Sequence, residues 1–285
     1  MRIAGMVGRG ILILLVSGLL GAALVRMAPG GDVDEQELDP RLRRESIEIL
    51  RRQRAAQQNS LDFYPRFIAG LLRGDGGNST LFGAPVAQLI GERIGTTART
   101  VLIGLAAGWC AAVLLAILSA LDGRVAMVLL STFVSATLLS VPSAVLAAMC
   151  LLLDLPPHAA IAAVVFPRVY PHAYAQLRAS LERPHVIMAR ARGLSGQRVF
   201  CWHVIPSALG PLLALGGVSV ALAFGASIPV EALADSPGVG QLAWRAALGR
   251  DIPLLVSITL LLTAVTTAAN LLSDIAMLRA GVRAA

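Results

Sequence analysis

The groups this chain could use for chemistry are arginines, a few carboxylates and four histidines. All 24 of its basic residues are arginine, and lysine is absent. A Walker A loop needs a lysine to reach the nucleotide phosphates, so ATP hydrolysis by that route is excluded. The same absence removes a Ser/Lys dyad, and neither HExxH nor GxSxG occurs. His158, His172, His185 and His203 share no metal-ligand spacing. Cys110, Cys150 and Cys201 form neither a metal pattern nor a disulfide framework and read as small apolar fillers. Ser219 with His172 is the Ser/His pairing an intramembrane hydrolase could draw on, but nothing in the sequence fixes its geometry. The polar residues whose placement does call for an explanation are Arg168, inside an apolar run, the stretch Leu177 to Pro206, and the stretch Glu231 to Asp251.

The elements that must position these groups are apolar spans. Of 285 residues, 56% are hydrophobic and 14% charged, and the mean hydropathy is +0.73. A soluble domain carries roughly 25% charged residues, so lipid is the expected solvent. The net charge of +7 does not point to nucleic acid, because the arginines flank apolar spans instead of forming one basic face. Runs without charge cover 10–25, 100–121, 125–153, 155–167, 199–230 and 252–273, the fourth resuming past Arg168 through Leu177. At about 20 residues per crossing these predict six spans. The first is expected to be retained, since Arg26-Met27-Ala28-Pro29 gives no small-residue cleavage site. Between the first two spans, residues 30–95 hold nine arginines and ten acidic residues. Within them 41–58 has helical character and Gly74 to Asn78 is a turn cluster.

Short-loop arginines set the orientation. Arg2, Arg9, Arg124, Arg178, Arg183, Arg190, Arg192, Arg198, Arg279 and Arg283 fall on one side of a six-span chain. The opposite short loops hold Asp154, and then Glu231, Asp235, Arg245, Arg250 and Asp251. The positive-inside rule then puts both termini in the cytoplasm. On that side lies LRASLERPHVIMARARGLSGQRVFCWHVIP, too polar to cross and too apolar for a free linker. Val186, Ala189 and Gly193, with Ile187 and Met188 alongside, make an apolar stripe at helical spacing, and Gly193 suits a helix C-terminus. From pattern alone a groove in a partner and the membrane surface fit this helix equally.

MARARGLSGQRVFCWHVIPSALGP resembles the cytoplasmic loop of ATP-binding-cassette (ABC) importer permeases, and is similar to that of the dipeptide, oligopeptide and nickel family. Ala189, Arg190, Ala191, Gly193, Leu194 and Ser195 match, with Arg192 in place of lysine; His203, Pro206, Ala208, Leu209 and Pro211 match the second half. The glutamate that names the wider loop is replaced by Ile187. PVEALADSPGVGQLAWRAALGRDIPLL resembles the family's external segment through Glu231, Pro237, Gly238, Gly240, Leu242, Ala246, Arg250, Asp251 and Pro253, with Ile252 for the usual tyrosine. Asn270 to Asp274 resembles the end of the last span, while the family's terminal DPR is Gly281-Val282-Arg283 here. Pro29 to Asp32 and Gly70 to Val101 resemble the longer-loop permease of the pair.

The resemblance implies an all-α integral membrane protein of six transmembrane helices, a type I ABC importer permease-like bundle with a cytoplasmic coupling helix. Its parts would be an N-terminal helix at 1–29, an extracytoplasmic polar segment at 30–95, a five-helix core at 96–279 with coupling loop 178–205 and external loop 231–252, and a cytoplasmic tail at 280–285. It implies a bacterial inner-membrane location and four partners: a second permease, two ABC ATPases and an extracytoplasmic substrate-binding protein. This chain would bind no cofactor or metal, and ATP and magnesium would sit on the ATPases. Ala189 to Ser195, with His203 and Pro206, would form the ATPase-coupling loop. Glu231, Pro237, Gly238, Gly240, Arg250 and Asp251 would form an external gate loop. Peptides are the first expectation for substrate, with nickel chelates, glutathione and sugars open. Arg168 either lines the pathway and meets a substrate carboxylate, or pairs with Asp154 or Asp274, or snorkels. The rival classes are a channel or secondary transporter, which commonly carries acidic or basic relays within its spans, and an intramembrane hydrolase.

Overall fold

The computed structural model describes residues 8–10, 12–14, 16–21, 70, 76–122 and 125–279. The predicted helix at 41–58, the Pro29 to Asp32 motif, most of the 30–95 segment and the 280–285 tail lie outside the described residues. Among the described residues the chain is helical, with no strand and one isolated bridge, Asn78 to Pro85. In chain order the helices are α1 (Gly8–Gly21), α2 (Val86–Asp122), α3 (Val125–Ser140), α4 (Ser143–Leu152), α5 (Pro157–Leu181), α6 (Pro184–Ala191), α7 (Gly196–Val199), a π-helical turn (Phe200–Val204), α8 (Ile205–Leu233), α9 (Val239–Leu248) and α10 (Ile252–Arg279).

Three of these stretches are long and apolar enough to cross a membrane: Val86–Leu121, Gly196–Leu233 and Ile252–Met277. α3 and α4 meet the same length and apolarity only when taken together, and they are bent by 105°, the geometry of a broken span or a re-entrant loop. The break falls at Val141-Pro142, where proline cannot donate a helical hydrogen bond and its ring pushes the preceding residue out of the helical region. The Pro142 carbonyl then accepts from the amides of Val145 and Leu146, which restarts the chain as α4. The remaining two predicted spans correspond to α1, which is shorter, and α5, which has 25 residues but carries Arg168 at its middle. α2 begins at Val86, so it runs through the 95/96 boundary read from the sequence. Its apolar part, 100–121, is about 33 Å long at 1.5 Å per residue, which matches the hydrocarbon core. Large apolar side chains stand exposed along α2 and α3, among them Leu102, Leu114, Leu129, Leu130 and Phe133. On a soluble protein such a belt would be a liability; in lipid it costs nothing.

The chain divides into two compact units, Met1–Glu92 with Ala243–Thr263, and Arg93–Leu242 with Ala264–Ala285. In the second, α5 is the central element, packing against α3, α4 and α8. Small residues on α2 let it lie directly on α5. A Cβ at Gly104 would stand 2.7 Å from both the His158 carbonyl and Ile161 Cβ, and one at Gly108 would stand 3.0 Å from the Ala162 carbonyl. This is the small-xxx-small contact by which membrane helices approach closely. Phe166, Tyr170 and Tyr174 stack in sequence along α5, and the buried Tyr170 hydroxyl lies 3.3 Å from Ser119 Oγ. The core around them is built from Val101, Ala112, Ala116, Ile161, Val165, Val169, Ala173, Val204 and Ala223.

In the first unit a buried carboxylate organises a turn and a helix start together. Asp251 precedes α10 and is fully buried. Its Oδ1 accepts from the Leu254 amide at 3.1 Å, an N-cap bond. Its Oδ2 accepts from Ser79 Oγ and from the Leu81 amide. Ser79 Oγ in turn accepts from the Phe82 amide.

Candidate functional site

The segment between α5 and α8 is built by three local devices. Pro184 sits in the first turn of α6, where a missing amide proton costs nothing. Gly193 ends that helix in the left-handed region at φ +78°, and its amide and that of Leu194 return to the carbonyls of Arg190 and Ala189. The π-helical turn then absorbs Pro206. A regular helix would aim the Trp202 carbonyl at a proline that cannot donate and whose ring would collide with it; widening the turn relieves the clash.

The predicted apolar stripe is divided by the fold. Val186 is fully buried and Ala189 nearly so, and both join the core of the second unit. Ile187 and Met188 point outward, 55% and 58% exposed, beside exposed Arg190, Ala191 and Arg192. Leu194 packs partly against the core, while Gly193, Ser195 and Pro206 are exposed. His203 is half-buried, and its Nδ1 is buried with no partner among the described residues. The segment thus keeps one edge anchored and offers an apolar surface with an arginine rim on the other. Trp202, 75% exposed in the π-helical turn, was not singled out from the sequence.

The residues expected to form one external loop separate into two clusters. Glu231, in the last turn of α8, is fully buried. Its Oε2 accepts from the Gly240 amide at 2.8 Å and from Thr97 Oγ1 of α2 at 3.1 Å. Thr97 Oγ1 accepts in turn from the Val239 amide at 2.7 Å. A carboxylate and a hydroxyl thereby satisfy the first amides of α9, whose partial positive charge favours that arrangement. Gly238 and Gly240 are required here. A Cβ on Gly238 would overlap the Glu231 carboxylate, and one on Gly240 would lie 2.6 Å from the Ser227 carbonyl oxygen. Glu231 Oε1 is buried with no partner among the described residues. Beside this knot, the Gln241 amide reaches Asp235 Oδ1 and receives Arg93 at 3.3 Å. Pro237 is exposed in the turn. Asp251 belongs to the Ser79 and Leu254 cluster, and Arg250 precedes it exposed, at φ +53°. Thr97 is the member sequence reasoning missed: a threonine 134 positions from its carboxylate partner carries no local signal.

Arg168 is exposed on α5 and makes no ion pair with Asp154 or Asp274 among the described residues. His172 is exposed one turn further on the same face. His172 and Gln176 line a cavity of about 260 Å³ with Pro211, Leu212, Leu215 and Val218 of α8.

Long apolar helices, an apolar helix pair bent at proline and a loop held to the bundle by one edge are the features of a helical membrane protein. Residues 112–280 match the family of binding-protein-dependent transport system inner membrane components, and the chain belongs to that family. It is similar along its length to a peptide transport system permease protein of Brucella abortus, 23% identical over 94% of each chain. Shorter regions are similar to the oligopeptide transport system permease proteins AppB of Bacillus subtilis, 30% identical over 33% of this chain and 30% of the relative, and OppB of Escherichia coli, 37% identical over 27% and 25%. The chain is thus the inner-membrane permease component of an ABC importer.

Proposed function

We propose that this permease forms half of a translocation pathway for peptides, crossing the inner membrane six times with both termini cytoplasmic. The names of its relatives support peptides as substrate, and the arginine distribution supports the orientation. α1, α2, the broken α3 and α4 pair, α5, α8 and α10 are the six crossings. They pair with a second permease, with two ABC ATPases that bind ATP and magnesium, and with an extracytoplasmic binding protein.

The observation that carries this reading is the two-sided α6 segment. Val186 and Ala189 fasten it to the bundle, while Ile187, Met188, Arg190 and Arg192 remain available to a partner. A helix fixed on one edge transmits displacement instead of swivelling. Closure of the ATPase pair on ATP would move α6 and so tilt α5 and α8, which flank it in sequence, switching the pathway between inward and outward states. Gly193 supplies the turn, the arginines orient the docking face, and His203 in the π-helical turn and Pro206 at the start of α8 connect it to that helix. The Pro237-Gly238 turn, held by Glu231 of α8 and Gly240 of α9, with Arg250 and Asp251 further along the chain, is the outer gate segment on the side of the binding protein. Arg168 lines the pathway.

Co-purification tests this. The tagged chain should bring down two ATPases and a second permease, and Ile187→Glu with Met188→Glu should release the ATPases while leaving the permease pair intact. Solute uptake that proceeds without a nucleotide-hydrolysing partner would overturn the proposal.

A further inference from the structure

We infer that the exposed face of α5 and the cavity beside it form a subsite for the C-terminal residue of a peptide. The free carboxylate lies against Arg168 and His172, and an apolar side chain enters the space between α5 and α8. This rests on the peptide reading above and adds to it a recognition rule within the membrane.

Three observations converge. Arg168 stands at the middle of a 25-residue helix, about 17 Å from its start at 1.5 Å per residue, so a bilayer headgroup is out of easy reach. It is exposed and makes no ion pair among the described residues, while Phe166, Tyr170 and Tyr174 occupy the opposite, core side of the helix. A guanidinium so placed costs about 2.5–3.5 kcal/mol facing hydrocarbon and therefore faces protein or water. Its planar fork matches a carboxylate bidentately. Second, His172 and Gln176 follow at one-turn intervals and supply further hydrogen-bond donors to the same ligand. Third, the cavity those two residues open into is otherwise walled by Pro211, Leu212, Ala214, Leu215 and Val218, with a volume of about 260 Å³. At about 30 Å³ per water-sized group it has room for a leucine or phenylalanine side chain. An anion-binding stripe running into an apolar recess has the shape of a free C-terminal amino acid with an apolar side chain.

The test is uptake by cells carrying the complete transporter and its binding protein. It compares a leucine-terminated peptide, its C-terminal amide and the glycine-terminated analogue. The binding protein is the same in every strain, so a change in discrimination caused by the permease substitution belongs to the permease. Arg168→Gln should slow the free acid about tenfold, the loss of one charge-assisted contact, and slow the amide, which offers only a neutral carbonyl, much less; Arg168→Lys should recover most of the rate. Val218→Trp, which fills the recess from an exposed position, should reduce leucine-terminated uptake to the glycine-terminated rate. Equal slowing of acid and amide by Arg168→Gln, or unchanged preference in both Arg168→Gln and Val218→Trp, overturns the subsite. If Arg168→Gln fails to accumulate, Arg168→Lys and Val218→Trp decide. Cells with the unaltered permease that import none of the three peptides overturn the peptide reading itself.

Discussion

Replacing Gly240 with alanine probes the knot at the start of α9 with one carbon. The added Cβ would lie 2.6 Å from the Ser227 carbonyl oxygen, 2.8 Å from its carbon and 2.9 Å from Glu231 Oε2. The first two are backbone atoms of α8, so no rotamer change relieves the contact, and either α9 or α8 must shift. Overpacking of this kind costs about 1–3 kcal/mol. The shift also stretches the 2.8 Å bond from the Gly240 amide to the Glu231 carboxylate, and a hydrogen bond to a charged group is worth about 1.5–3 kcal/mol. Together the expected loss is about 3–5 kcal/mol. The control is Gly225→Ala in α8, where no heavy atom lies within 4 Å of the new carbon; helix propensity there should add about 0.5–1 kcal/mol. Unfolding of the detergent-solubilised complex by added dodecyl sulfate, followed by tryptophan fluorescence, reads both. Equal midpoints for the two variants would refute the reasoning, because they would mean that α8 and α9 do not approach as closely as the Glu231 bond requires.

Further outcomes follow from other contacts. Gly104→Val should lower the amount of protein accumulating in membranes and cost about 2–4 kcal/mol, since its side chain meets the His158 backbone; a blot of membrane fractions against Gly95→Val, which faces open space, checks it. Asp251→Ala removes the α10 cap and leaves Ser79 and the Leu81 amide without their acceptor. It should destabilise by about 3 kcal/mol in the same unfolding assay, with a smaller loss for Asp251→Asn. Gly193→Ala should cost about 1–2 kcal/mol through backbone conformation alone, because φ is +78° and nothing crowds the site. The same unfolding assay reads it, with Gly193→Asn expected to be milder.

The class of protein was legible from the chain alone, because partition into lipid depends on composition and run length, which are local quantities. The span at 100–121 and the helix stop at Gly193 were readable for the same reason: apolar length and a preference for positive φ are properties of short stretches. The motifs at Leu177 to Pro206 and Glu231 to Asp251 were visible as letters. What each letter does was decided by tertiary structure. Val186 and Ile187 are adjacent apolar residues, yet one anchors α6 in the core and the other faces outward, a distinction set by which helix covers which face. Glu231 and Asp251 lie on one stretch of sequence but serve different clusters, joined to Thr97 and to Ser79 respectively. Hydrogen bonds between residues more than a hundred positions apart require chain segments to meet, and local patterns of propensity hold no record of that meeting. The apolar recess beside His172 is of the same kind, since a cavity exists only where two helices fail to fill the space between them.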